Sequence, residues 1–119
     1  MWTGTTTKTA ATCLAALSLS ACATVYEGKY QFAQGWREAT IVGMLQGAAI
    51  ENPRFWECTR KVPEAQRAAT DYVLLSYRGV QRPGRRIVPV PANLSLSVGE
   101  RVYLNLAACE QAIAKRRAP

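Results

Sequence analysis

The chain has 119 residues, with 15 Lys and Arg against 8 Asp and Glu, and no His. That length holds one compact domain and excludes a large multi-domain enzyme. The absence of His removes Ser-His and Cys-His dyads, His-ligated metals and every imidazole base, while 49% apolar residues is too many for a wholly disordered chain.

Residues 1–21 contain no acidic side chain and one basic one, Lys8, followed by the apolar run TAATCLAALSLSA. A helix needs roughly 20 apolar residues to span a bilayer, so this run is too short. It fits the h-region of an export signal, with small residues ahead of a cleavage point; the alternative is an uncleaved apolar helix of a soluble protein. The run ends Leu19-Ser20-Ala21-Cys22. This resembles the lipobox of bacterial lipoproteins, a Leu and two small residues before an obligatory Cys. The resemblance implies that Cys22 is lipidated and becomes the first residue of the mature chain, anchoring the protein to a membrane. Small side chains at Ser20 and Ala21 let the backbone lie extended in a protease site, and Leu19 fills an apolar pocket. Cys13 fits the pattern less well, because Thr12 stands before it. Ala23, where an Asp would retain such a protein in the inner membrane, implies sorting to the outer membrane and its periplasmic face.

The segment 22–35 is either a lipid-anchored tether, with Tyr26, Tyr30 and Phe32 at the level of the head groups, or a first strand. From residue 36 to 119 the expectation is one small, mainly β domain: a five-stranded meander or barrel of SH3 or OB size, with a short helical turn and a C-terminal helix. Period-two patterning predicts strands over 37–45, 54–61, 71–78, 85–90 and 101–106. In the last, Val102, Leu104 and Leu106 face one way and Arg101, Tyr103 and Asn105 the other. The run 72–77 is apolar on both faces and reads as a central strand. Pro83-Gly84 fits the centre of a type II turn, making 71–90 a hairpin. Pro89 and Pro91 lack an amide donor, which puts its second arm at a sheet edge. Val98-Gly99-Glu100 reads as the turn into the final strand, and 63–70 and 107–117 favour helix by composition.

A Cys before a polar loop, a Tyr-rich strand ending Arg78-Gly79 and the turn Gly99-Glu100-Arg101-Val102 resemble the C-terminal β domain of the glycine-zipper surface-antigen (SlyB-type) outer-membrane lipoproteins, over roughly 57–106. The resemblance implies a fold and an envelope location. The long glycine zipper of that family is missing; only Gly43 and Gly47 keep its GxxxG spacing. The apolar run around them is too short to span a membrane, so a bulge or turn is the expected use of these glycines.

Removal of Cys13 and acylation of Cys22 would leave Cys58 and Cys109 as an even pair in an oxidising compartment. A structural disulfide between them is expected; a redox dithiol or a bond to a partner are the alternatives, and no CxxC spacing favours the first of these. Arg82, Arg85 and Arg86 gather around the hairpin and form the candidate anion-binding site. Phe55 and Trp56, adjacent on an expected strand, would face opposite sides, one in the core and one outside. No paired carboxylates, G-x-S-x-G elbow or phosphate loop is legible, so neither catalytic residues, a metal nor a cofactor is expected. The function expected is that of a non-enzymatic envelope lipoprotein, structural or accessory to an envelope protein complex and not a binder of nucleic acid. The alternative is a module that captures anionic lipid or glycan through Arg82, Arg85 and Arg86.

Overall fold

A computed structural model describes residues 23–117. The signal segment, Cys13 and the Leu19-Ser20-Ala21-Cys22 motif lie outside the described residues. The chain divides into two units between Ala33 and Gln34. In the first, β1 (Val25–Tyr26) pairs antiparallel with β2 (Tyr30–Gln31). Glu27 and Gly28 both take positive φ, and the Lys29 amide donates to the Tyr26 carbonyl at 3.0 Å, closing a tight hairpin. The two-stranded sheet is separate from the larger one.

The second unit is built on a five-stranded antiparallel sheet, as its β-branched and aromatic content demands. Its strands are β3 (Trp36–Gln46), β4 (Asp71–Arg78), β5 (Pro83–Pro89), β6 (Arg101–Asn105) and β7 (Ile113–Lys115), in the order β5-β4-β3-β6-β7. The protein is mainly β, as expected, but the sheet stays open and closes no barrel. The first three strands follow one another as in a meander; β6 then returns to the far side of β3, which is the strand order of a Greek key. Pro83 and Pro89 stand at the two ends of edge strand β5.

Three expectations about local structure are corrected. Residues 54–61 form no strand; they make a 3-10 turn (Pro53–Phe55) and the short helix α1 (Glu57–Arg60). Both edges of β4 are already taken by β3 and β5, and the buried Thr59 hydroxyl donates to the Trp56 carbonyl at 2.8 Å, holding a helical turn. Helix α2 (Glu64–Arg67) fulfils the helical turn expected after Pro63, and Arg67 binds back to the carbonyls of Thr59 and Val62. The C-terminal helix does not form either. Gln111 turns at φ 54°, Ala112 accepts from the Asn105 amide at 2.8 Å, and Ile113 is buried as the first residue of β7; pairing with β6 overrides helix propensity. Finally, Pro83 and Gly84 lie within β5 opposite Arg78 and Tyr77, so the hairpin turn is residues 79–82. A Cβ on Gly84 would sit 2.3 Å from the Tyr77 ring, so glycine lets that ring lie over the strand.

Each face of the sheet has its own core. On one, Ile41, Val73, Leu75, Val88, Val102 and Leu104 pack with Cys58, Ala112 and Ile113. On the other, at one end only, Tyr72 and Ile87 pack with Ile50, Trp56 and Val62. Helix α1 lies against β5 and supplies both, Cys58 to the first and its preceding residue Trp56 to the second. The β3–β4 register shifts between Ile41 and Gly43, a bulge with Val42 as the extra residue. This moves Leu45 to the second face, opposite Tyr72.

The GxxxG glycines therefore serve the β fold in different ways. Gly43 sits at the bulge, and a Cβ there would meet Leu74 at an ordinary 3.7 Å. A Cβ on Gly47 would lie 1.6 Å from the Arg67 carbonyl oxygen, where the two ends of the long β3–β4 connection close on one another. Chemical denaturation should show Gly47→Ala destabilised by about 2–3 kcal/mol and Gly43→Ala within about 0.5 kcal/mol of the parent.

Candidate functional site

The two cysteines singled out in the sequence form a disulfide, Cys58–Cys109, with Cα atoms 5.3 Å apart and a sequence separation of 51. It joins α1 to the turn after β6 and is covered by the first core, where Cys58 is buried. In the chain-entropy account, closing a loop of this size contributes about 4 kcal/mol.

The arginines expected to share one anion site are separated. Arg85 and Arg86 are successive residues of β5 and point to opposite faces of the sheet. Arg86 lies over the disulfide with its side chain only 16% exposed. Its Nη2 is 3.4 Å from Cys58 Sγ and 3.5 Å from the Ala108 carbonyl, and its Nη1 is 3.7 Å from Glu57 Oε2. Among the described residues its buried Nε has no hydrogen-bond partner. Arg86 is therefore a clamp on the bridge, not an open anion receptor. Arg82, in the turn, and Arg85 remain exposed.

On the face that Arg85 shares, the second core covers only one end. The other end is open and polar. Register sets Arg85 opposite Ser76, Ser76 opposite Thr40, and Thr40 opposite Arg101, a row that crosses four strands. Beside it, Arg116 reaches over the Tyr103 ring at 5.5 Å and pairs with Glu38 at 3.6 Å. Glu38, Thr40, Ser76, Arg78, Arg101 and Arg116 line a shallow cleft of about 410 Å³. Sequence reading missed this set because its members lie on three different strands and on the chain past β7. Only the register brings them together.

The adjacent aromatics are divided as their expected roles were: Phe55 is 76% exposed, and Trp56 packs into the second core. Burial pushes the Tyr72 phenol above its ordinary value, against the opposing effects of the Arg67 charge and the Thr70 side chain; this group belongs to the second core, not to the cleft. Among the described residues no three Cys, Asp or Glu side chains gather as a metal site, and no helix is long and apolar enough to cross a membrane. No protein-family model matches the chain, and neither a curated protein nor a solved structure is significantly similar to it.

The division of the hairpin arginines has a measurable consequence. Arg86→Ala removes packing and charge-assisted contacts beside the bridge and should lower unfolding stability by about 1–3 kcal/mol. Arg82→Ala and Arg85→Ala, both exposed, should each change it by less than about 0.5 kcal/mol in the same denaturant titration.

Proposed function

We propose that this chain is a non-enzymatic cell-envelope lipoprotein, acylated at Cys22 and held at the periplasmic face of the outer membrane, where it acts as a structural or accessory component of an envelope assembly. The observation that carries this reading is the Leu19-Ser20-Ala21-Cys22 motif behind a short apolar run and ahead of a domain stapled by Cys58–Cys109. A disulfide across a sheet this small is the chemistry of a protein folded in an oxidising compartment. Two or more acyl chains would make the anchor stable, at about 0.8 kcal/mol per buried CH₂.

The sheet supports a scaffold role more readily than a catalytic one. Glu38, Glu57 and Glu100 are engaged in ion pairs with Arg116, with Lys61 and Arg86, and with Lys115, so these carboxylates carry structure. Proline at both ends of β5 and the α1 helix against it shield one sheet edge from strand addition.

Intact mass of protein extracted from bacterial membranes without reductant tests the reading. The wild-type chain should lack residues 1–21 and gain the mass of its acyl chains, and Cys22→Ser should do neither. Unmodified full-length wild-type protein in the cytosol would overturn it.

A further inference from the structure

The open end of the second sheet face carries more positive charge than the fold uses. Four arginines, Arg78, Arg85, Arg101 and Arg116, stand there against a single carboxylate, Glu38, which is already paired with Arg116. Arg78, Arg85 and Arg101 form no ion pair with another described residue. A strand-to-strand spacing of about 4.8 Å puts Arg85 and Arg101 roughly 14 Å apart along their row, with the hydroxyls of Ser76 and Thr40 between them. The row is thus cationic at both ends and offers neutral hydrogen-bond donors in the middle.

Ser76 and Thr40 add donors that water could serve equally well, and neither stabilises the second core, which stops at Leu74 and Ile87. The chemistry complementary to this row is a compact group with several anionic oxygens. Phosphate suits the planar fork of Arg, which binds two oxygens of one centre at once. An extended acidic polypeptide fits less well. It gains most from the free backbone donors of a sheet edge, whereas this row crosses interior strands β4 and β3, whose backbone groups are committed to their neighbours.

We propose that the cleft lined by Arg78, Arg101 and Arg116 around Ser76 and Thr40, with Arg85 beside it in the same row, binds the phosphate of an anionic lipid head group. The choice of a lipid as the source of the phosphate rests on the membrane-anchored reading above; the preference for phosphate rests on the row itself. Of the hairpin trio only Arg85 belongs to this row; Arg82 and Arg86 have no part in it.

The test is flotation of the full chain carrying Cys22→Ser, so that no acyl anchor contributes, with vesicles of phosphatidylcholine alone or mixed with phosphatidylglycerol. Vesicles of phosphatidylcholine alone give the baseline for the apolar leader. Binding should exceed that baseline only with phosphatidylglycerol and should weaken with added salt. Arg85→Ala/Arg101→Ala should cut the excess by at least about ten-fold. Arg54→Ala/Lys61→Ala removes the same charge away from the cleft and should change it less than about two-fold, with both variants keeping the parent's thermal midpoint. Equal losses in the two variants would assign the effect to diffuse surface charge and overturn the proposal. So would the absence of any preference for phosphatidylglycerol, displacement by polyglutamate but not by short-chain phosphatidylglycerol, or binding of inorganic phosphate with no vesicle preference. Failure here with normal acylation of the wild-type chain would remove the head-group site and leave the lipoprotein reading standing.

Discussion

The Cys58–Cys109 bridge is the contact on which the covering of the sheet depends. The helices beside this sheet and its last strand are short: α1 and α2 have four residues each, and β7 has three. Helices of that length are not stable by themselves, because nucleation is costly and there is little propagation to offset it. The bridge fixes α1 to the turn after β6, and that turn in turn delivers Ala112 and Ile113 into the first core. Since Trp56, one residue before α1, packs on the opposite face, the same bond steadies both cores at the β5 edge.

Electrostatics divides along the same sheet. On the face with the bridge, Arg86 is almost buried and is spent on Cys58, Ala108 and Glu57. Its neighbour Arg85, turned outward by the strand period, joins a row of polar side chains on a face that is only half covered. One step along β5 therefore changes an arginine from a part of the fold to a part of the surface. Tethered at a membrane, a domain with such a face would present fixed positive charge to the anionic head groups within a Debye length, about 8 Å at physiological ionic strength.

Much of the sheet was legible in the sequence, because β4 and β6 carry their pattern locally. The apolar run at 72–77 marks an interior strand, and the alternation at 101–105 marks a strand, although Tyr103, expected on the outward side, is buried beneath Arg116. The turn at Gly99 was legible too; the Glu100 amide closes it onto the Ser97 carbonyl, with Gly99 at φ 92°. The errors came where long-range contacts outweigh local preference. Residues 107–117 have helical composition, yet pairing with β6 and the bond at Cys109 hold them as a turn and a strand. Residues 54–61 alternate like a strand but form a 3-10 turn and a helix, held by the Thr59 hydroxyl on the Trp56 carbonyl. The cysteine pair could be read once Cys13 and Cys22 were assigned to the signal and the lipid anchor, whereas the arginine row required the register of three strand pairs. A one-residue slip in any of them would turn part of that row to the other face.

The most direct test of this account is the unfolding free energy of the purified protein in denaturant, measured with the bridge intact and after reduction and alkylation of Cys58 and Cys109. The account predicts a loss of about 4 kcal/mol on reduction, enough to leave so small a domain largely unfolded. Superimposable curves would contradict it, and with it the argument that the domain is built for an oxidising compartment.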